Sequence, residues 1–379
     1  MIPYGRQSID EADIASIIEV LHSEWLTQGP GIALFEEAMA SYCHSKHAVA
    51  LSNATAALHV ACIALGVGKG DLVWTSPNTF VASANCARYC GADVDFVDID
   101  PVSLNMSVKA LAFKLEKAKQ QGRLPKVVIP VHFSGLSCEM EAIFALSKQY
   151  GFKIIEDASH AVGAEYNGYP VGSCKYSDIT VFSFHPVKII TTGEGGMVLT
   201  NQQLLADQMI RLRSHGIAQK PEHMVRPPQG AWEYQQVELG HNYRMTNLQA
   251  ALGLSQLKKL PEFIAKRRAL AKRYHELLAD IPVKRPVLSD ESSWHLYTVR
   301  FPAEKRKAIF DAFRKADIWV QVHYIPVHTQ PYYANLGFQW GDFPEAESYY
   351  NEAISLPLFF DLTIDNQDYI IDYLKPLLT

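Results

Sequence analysis

A chain of 379 residues, 48% hydrophobic and 20% charged, has enough apolar side chains for a large core and the polarity of an ordinary soluble protein. Its formal charge of -5 argues against a broad surface for nucleic acid or anionic membrane. It leaves room for a small anionic ligand, which backbone amides and a few side chains can hold locally.

The N-terminal stretch MIPYGRQSIDEAD lacks a basic-plus-apolar signal pattern. The most apolar helix candidate, 54–68, contains His59 and is shorter than the ~20 residues a membrane span needs. The six cysteines (Cys43, Cys62, Cys86, Cys90, Cys138, Cys174) show no Cys-x-x-Cys spacing and read as reduced, mostly buried thiols of a cytoplasmic protein. His44 and His47 have no second ligand pair nearby in sequence, so no metal is expected.

Ser8 or Asp10 can cap a first helix with Ile14, Ile17, Ile18 and Leu21 on one face, ended by the Gly-Pro-Gly run at 29–31. A second helix is predicted at 33–42. Then short apolar strands alternate with amphipathic helices. Strands are predicted at 47–51, 72–75, 94–97, 126–131, 153–156 and 179–184; helices at 54–65, 81–89, 108–121 and 140–150. This alternation predicts an α/β fold, a mostly parallel sheet flanked by helices. A long helical connector follows from Thr246 to about Leu278, broken near Pro261. The loop 219–236, with three prolines, precedes it. Beyond Pro282 come a strand at 295–300, a helix at 303–316, a strand at 319–323 and a last helix at 367–374 with Pro376 beyond it. The division is a large domain, 1–250, and a connector plus smaller α+β domain, 251–379.

Ligands in such sheets bind beyond the carboxyl ends of the strands. Three features fall there. Ser52-Asn53-Ala54-Thr55 opens a helix, where free N–H groups favour a phosphate. Asp157 ends an apolar strand, where a carboxylate can keep a cationic partner protonated. Ser183 and Lys188 lie five apart around a turn, and a desolvated lysine is a nucleophilic amine. Each has a plainer reading alone: Asn53 as a helix cap, Asp157 as a surface acid, Lys188 as a solvated loop lysine. Phosphate cup, strand-end aspartate and loop lysine together, in that order, are what pyridoxal phosphate requires.

The motifs SNATAAL (52–58), TSPNTFVASANC (75–86), EDASHAVGAEYNGYPVGS (156–173), FSFHPVKIITTGEGGMVLT (182–200), RSHGI (213–217), GHNYRMTNLQAALGLSQL (240–257) and QVHYIPVH (321–328) run nearly end to end. In order and spacing they resemble the fold-type-I pyridoxal-phosphate aminotransferases of nucleotide sugars, the DegT/DnrJ/EryC family. With Tyr4 and EWLTQG (24–29), they are most similar to its pseudaminic-acid branch. That branch aminates C4 of UDP-2-acetamido-2,6-dideoxy-β-L-arabino-hex-4-ulose with glutamate, which leaves as 2-oxoglutarate. This chain has SNAT where the branch often has NSAT.

The resemblance implies roles residue by residue. Lys188 matches the Schiff-base lysine and Asp157 the partner of the pyridine nitrogen. His160 stands near the ring hydroxyl. Ser183, Ala54 and Thr55 match phosphate ligands, and Phe80 the aromatic that stacks on the ring. Asn242 matches a residue that reaches the neighbouring subunit's phosphate, which implies a homodimer with shared sites. Tyr4, Glu24, Trp25, Leu26, Thr27, Asn53, Ser183, Asn242, Gln321, Val322, His323 and Tyr324 match substrate-contacting positions. Arg213, His215 and Arg244 are further candidates for holding the diphosphate. Rival readings are an aminotransferase for another nucleotide 4-keto or 3-keto sugar, a sugar dehydratase of the same family, and a non-enzymatic regulator. The dehydratase replaces the lysine by histidine, and a regulator is expected to lose Lys188 or Asp157; both residues are here.

Overall fold

The computed structural model describes residues 1–378. Its central sheet has seven strands: β1 His47–Leu51, β2 Leu72–Thr75, β3 Asp93–Phe96, β4 Val127–Ile129, β5 Lys153–Asp157, β6 Ile179–Ser183 and β7 Gly196–Thr200. They lie in the order β1-β7-β6-β5-β4-β2-β3. All neighbours are parallel except β7, which runs antiparallel to both β1 and β6. Every residue of β6 and β7 is buried, as expected of strands covered on both faces.

Helices cover the sheet: α1 Glu11–His22, α2 Pro30–Cys43, α3 Ala54–Ala64, α4 Ala82–Tyr89, α5 Val108–Gln120, α6 Met140–Tyr150 and α7 Gln203–Arg213. One apolar cluster carries α3 and α4 with Val49, Ile129, Val181 and Val198. A second carries Phe35, Met39, Phe182, Phe184 and Leu260. The helix starts are locally encoded. Asp10 and Asp13 form a capping box on α1, Pro30 opens α2, and the Asn53 side chain accepts the Ala56 N–H at the start of α3.

Several boundaries differ from the sequence reading. The connector is one unbroken helix, α8 Asn247–Leu277, with Pro261 inside it. Proline removes one helical hydrogen bond at a cost of about 3 kcal/mol. Around it Leu257, Leu260, Phe263 and Ile264 are buried in the core, and burying each such side chain contributes about 1.5–3 kcal/mol. Packing therefore outweighs the break. The last helix runs Ile364–Leu378 and includes Pro376 in its final turn. The strand expected at 319–323 shrinks to Ile318–Trp319, which pairs in parallel with Ile2–Pro3 at the start of the chain. The strand expected at 295–300 is Tyr297–Arg300, paired with Ala353–Leu356. The loop 219–236 is closed at its base by the short pair Ile217–Ala218 and Gln235–Gln236.

The apolar face of α1 is a further difference. Ile14, Ile18 and Leu21 are 42%, 47% and 56% exposed, and the helix instead buries Asp13. That carboxylate meets Lys259 and accepts from Gln256 Nε2 at 2.6 Å, both on α8.

Candidate active site

The carboxyl ends of β1, β2, β5 and β6 open into one cavity of about 1000 Å3. Because β7 runs the other way, its first residue, Gly196, lies at the same edge, opposite both Leu51 and Ser183. A Cβ at 196 would come within 2.4 Å of the Asn53 carbonyl carbon and 2.6 Å of the Ala54 nitrogen. Only glycine lets the start of α3 dock this tightly on the sheet. Asn53 uses its side chain on the Ala56 N–H, so Ala54 and Thr55 present the open helix end to the cavity.

Asp157 closes β5 and is 5% exposed. Its Oδ2 accepts from Ser83 Oγ at 2.6 Å, and its Oδ1 accepts from Ser159 Oγ at 2.6 Å and Ser159 N–H at 3.1 Å. Thr79 Oγ1 lies 2.8 Å from Ser83 Oγ, which extends the network to the loop carrying Phe80. Two hydroxyls thus hold the carboxylate in a single orientation.

Lys188 follows β6, on a turn closed by its N–H donating to the His185 carbonyl at 2.8 Å. Burial of the ammonium pulls its pKa down to about 8; attraction to Asp157 opposes the shift without cancelling it. At pH 7 about one lysine in ten is then the free amine, against about one in three thousand for an ordinary lysine. Three histidines surround this region. Burial first, then the positive charge of Lys188, pulls His160 well down and His323 to about 3. His295, whose ring centroid is 4.4 Å from that of His160, is also pushed well down by burial and by its neighbours. All three are held toward the neutral form, and Asp157 is the opposite charge that acts on Lys188.

Tyr4, Asn53, Ala54, Thr55, Phe80, Asp157, His160, Ser183, Lys188, Gln321, Val322, His323 and Tyr324 all line this cavity. Phe80 is 59% exposed, so its ring face is open to a planar ligand. Glu24, Trp25, Leu26 and Thr27 are exposed and do not line it. The Trp25 carbonyl accepts from Asn247 Nδ2, and the Leu26 carbonyl accepts from the Asn247 N–H, at the start of α8. Asn242 is exposed, bridged to Ser214, and also outside the cavity.

None of the further arginine and histidine candidates lines the cavity. Arg213 is committed elsewhere: its Nη1 meets Glu36 Oε1 and donates to the Ala50 carbonyl at 2.8 Å. Arg244 bridges Leu51 through its backbone, and His215 takes a left-handed turn with φ of 63°. Sequence reasoning missed Ser83, Ser159, Thr79, His185 and Gln330. Ser159 could have been found from its place two residues after Asp157, a spacing that favours a side-chain turn. Ser83 reaches Asp157 from 74 residues away, which no local pattern shows.

The cavity fits a planar, phosphorylated aldehyde cofactor. An open helix terminus beside Ser183 suits the phosphate, the fixed carboxylate suits a ring nitrogen, and Lys188 supplies the amine.

The model of the DegT/DnrJ/EryC1/StrS aminotransferase family matches residues 7–375. The chain belongs to this family. It is 38% identical over 385 residues to the spore coat polysaccharide biosynthesis protein SpsC of Bacillus subtilis, covering 99% of this chain and 97% of that one. It is 38% identical over 386 residues to a UDP-4-amino-4,6-dideoxy-N-acetyl-beta-L-altrosamine transaminase of Campylobacter jejuni, covering 100% and 98%. Among solved structures it superposes on Helicobacter pylori PseC, an aminotransferase involved in the biosynthesis of pseudaminic acid. That match has a TM-score of 0.91 and 33% identity, over 100% of this chain and 99% of that one. Solved relatives exist in PLP- and PMP-forms. The fold is that of fold-type-I aminotransferases, and the protein is a pyridoxal-phosphate-dependent transaminase.

Proposed function

We propose that this enzyme moves an amino group from glutamate to the C4 ketone of UDP-2-acetamido-2,6-dideoxy-β-L-arabino-hex-4-ulose, a step toward pseudaminic acid. The observation that carries the chemistry is the meeting of buried Lys188, fixed Asp157 and the α3 terminus in one cavity. The choice of sugar is supported by the end-to-end match to the Campylobacter transaminase and by residues 321–324 lining the cavity.

The cofactor, when bound, supplies the electron sink and carries the amino group between donor and acceptor. The chain's own residues do the rest. Asp157 would hold the ring nitrogen and, by its charge, favour a proton there. Ser183 and the Ala54 and Thr55 amides would hold the phosphate, with Phe80 placed for the ring face and His160 for the ring hydroxyl. The Lys188 amine takes the proton from the donor's α-carbon, and in the return half-reaction it gives one to the sugar's C4.

We further propose a homodimer whose partner completes each site through Asn242 and residues 24–27. Supporting this, the exposed apolar side chains include Ile14, Ile18 and Leu21 on α1 and Trp25 and Leu26 after it. Trp232, Tyr234 and Leu239 are exposed beyond the 219–236 loop base or within it. A cytoplasmic site of action is consistent with six free cysteines, five of them buried.

The purified enzyme is to be supplied with glutamate and, separately, with UDP- and dTDP-linked 4-keto-6-deoxy sugars and their 3-keto isomers. The reading expects 2-oxoglutarate in equal amount to aminated sugar, with the UDP-linked N-acetyl sugar turned over fastest by kcat/KM. A preference for another nucleotide or for a 3-keto sugar would overturn the substrate assignment.

A further inference from the structure

A chain of hydrogen bonds runs from the backbone into the cavity. The Ser134 N–H donates to His160 Nδ1 at 3.3 Å, and His160 Nε2 lies 3.0 Å from Tyr324 Oη. A backbone amide can only donate, so Nδ1 is the acceptor and the imidazole proton sits on Nε2. Nε2–H therefore donates to the tyrosine oxygen. The imidazole is buried and neutral, packed against His295 at 4.4 Å and Phe133 at 6.0 Å between ring centroids.

The amide that sets this order is itself held. Ser134 occupies the left-handed region, with φ of 58°, and its carbonyl accepts the His295 N–H at 2.9 Å. On the far side, Tyr349 Oη donates to the His323 carbonyl at 2.8 Å, and Ser355 Oγ lies 2.8 Å from His323 Nδ1. The backbone on both sides of the chain is thus fixed. With its oxygen occupied by the His160 proton, the Tyr324 hydroxyl has its own hydrogen to place. Burial raises its pKa, so that hydrogen is retained across the physiological range. The side chain lines the cavity, with its ring centroid 6.2 Å from that of Phe80.

The geometry points to Tyr324 as a fixed hydrogen-bond donor to the ketone oxygen of the sugar, aimed by Ser134 and His160. This rests on the reading that the acceptor is a nucleotide keto sugar. As the C–N bond forms at the ketone carbon, the C–O π electrons move onto oxygen. That oxygen then leaves as water, and both hydrogens of the water come from the attacking nitrogen. Tyr324 loses no proton over the cycle; it stabilises the charge on oxygen while that charge exists. In the glutamate half-reaction a ketone oxygen arises only at the closing hydrolysis, after the α-proton has gone, so removal of that proton does not call on Tyr324. His160 acts through Tyr324 here and is a positioning residue.

Single-turnover measurement of each half-reaction tests this. Tyr324→Phe should slow the forward sugar half-reaction on the order of 100-fold, the scale of losing one donor at a developing oxyanion. Removal of the glutamate α-proton, followed by deuterium release from α-deuterated glutamate, should slow much less. His160→Leu should also slow the sugar half-reaction, and His160→Gln, whose amide can still donate to Tyr324, should largely restore it. In cofactor-free protein labelled with 15N-histidine, the His160 signal, assigned by its loss in His160→Gln, should show a neutral ring protonated at Nε2. Equal slowing of the sugar half-reaction and of glutamate α-proton removal would mark a merely structural role and overturn the inference. So would an unaffected Tyr324→Phe enzyme, or a His160 ring protonated at Nδ1. A wild-type enzyme that exchanges with glutamate yet aminates no keto sugar would overturn the substrate reading itself, and this inference with it.

Discussion

Replacing Lys188 by methionine should abolish transamination and make the cofactor-free protein more stable at neutral pH. The lysine has a pKa of about 8 in the folded chain and about 10.4 when unfolded. A base whose folded pKa is depressed destabilises the fold while it is charged. The penalty is fully present below pH 8, fades between about 8 and 10.4, and is absent above. At pH 7 the shift corresponds to up to about 3 kcal/mol, and at pH 9.5 to about 1 kcal/mol. Methionine keeps the length and apolar stem without the charge. Urea unfolding of the cofactor-free wild type and variant, at pH 7 and pH 9.5, gives both differences at matched protein concentration. The variant should be more stable at pH 7, by a margin that shrinks by more than half at pH 9.5. A margin that does not change with pH, or a variant less stable at pH 7, would show that the ammonium is not desolvated as described.

Asp157→Asn should still bind pyridoxal phosphate but slow proton removal from the donor's α-carbon by orders of magnitude; a near wild-type single-turnover rate would contradict this. Gly196→Ala should weaken cofactor binding sharply, because the added methyl meets the Asn53–Ala54 backbone at 2.4–2.6 Å; cofactor titration by absorbance checks it. Inactive Lys188→Ala and Asn242→Asp chains, unfolded and refolded together, should recover up to about a quarter of wild-type activity if sites are shared between subunits. No recovery despite proven subunit exchange would mean that each chain builds its own site.

Much of the site was legible because its residues lie at the ends of short apolar strands. Asp157 and Ser183 close strands whose buried residues announce themselves, and Lys188 follows within a turn. Asn53 was readable as a cap because capping is local. What sequence did not show depends on contacts between distant segments. Ser83 meets Asp157 across the sheet, and Ser134 meets His160 from another loop. The role of Gly196 depends on β7 running antiparallel between β1 and β6, a topology invisible in a single glycine. Pro261 misled because its local cost is overridden by the apolar face of α8. Arg213 misled in the opposite way: its motif position is suggestive, but Glu36 and Ala50 claim its guanidinium. Ile14, Ile18 and Leu21 have the spacing of a core face yet remain exposed in this chain.

The most direct test of the central claim is isotope transfer. The enzyme, with pyridoxal phosphate, is to be given 15N-glutamate and UDP-2-acetamido-2,6-dideoxy-β-L-arabino-hex-4-ulose, and the sugar product analysed by mass spectrometry and NMR. The account predicts one 15N atom on C4 of the UDP-sugar for each 2-oxoglutarate formed, and none with Lys188→Ala. A sugar that gains no 15N, or that gains it without Lys188, would contradict it.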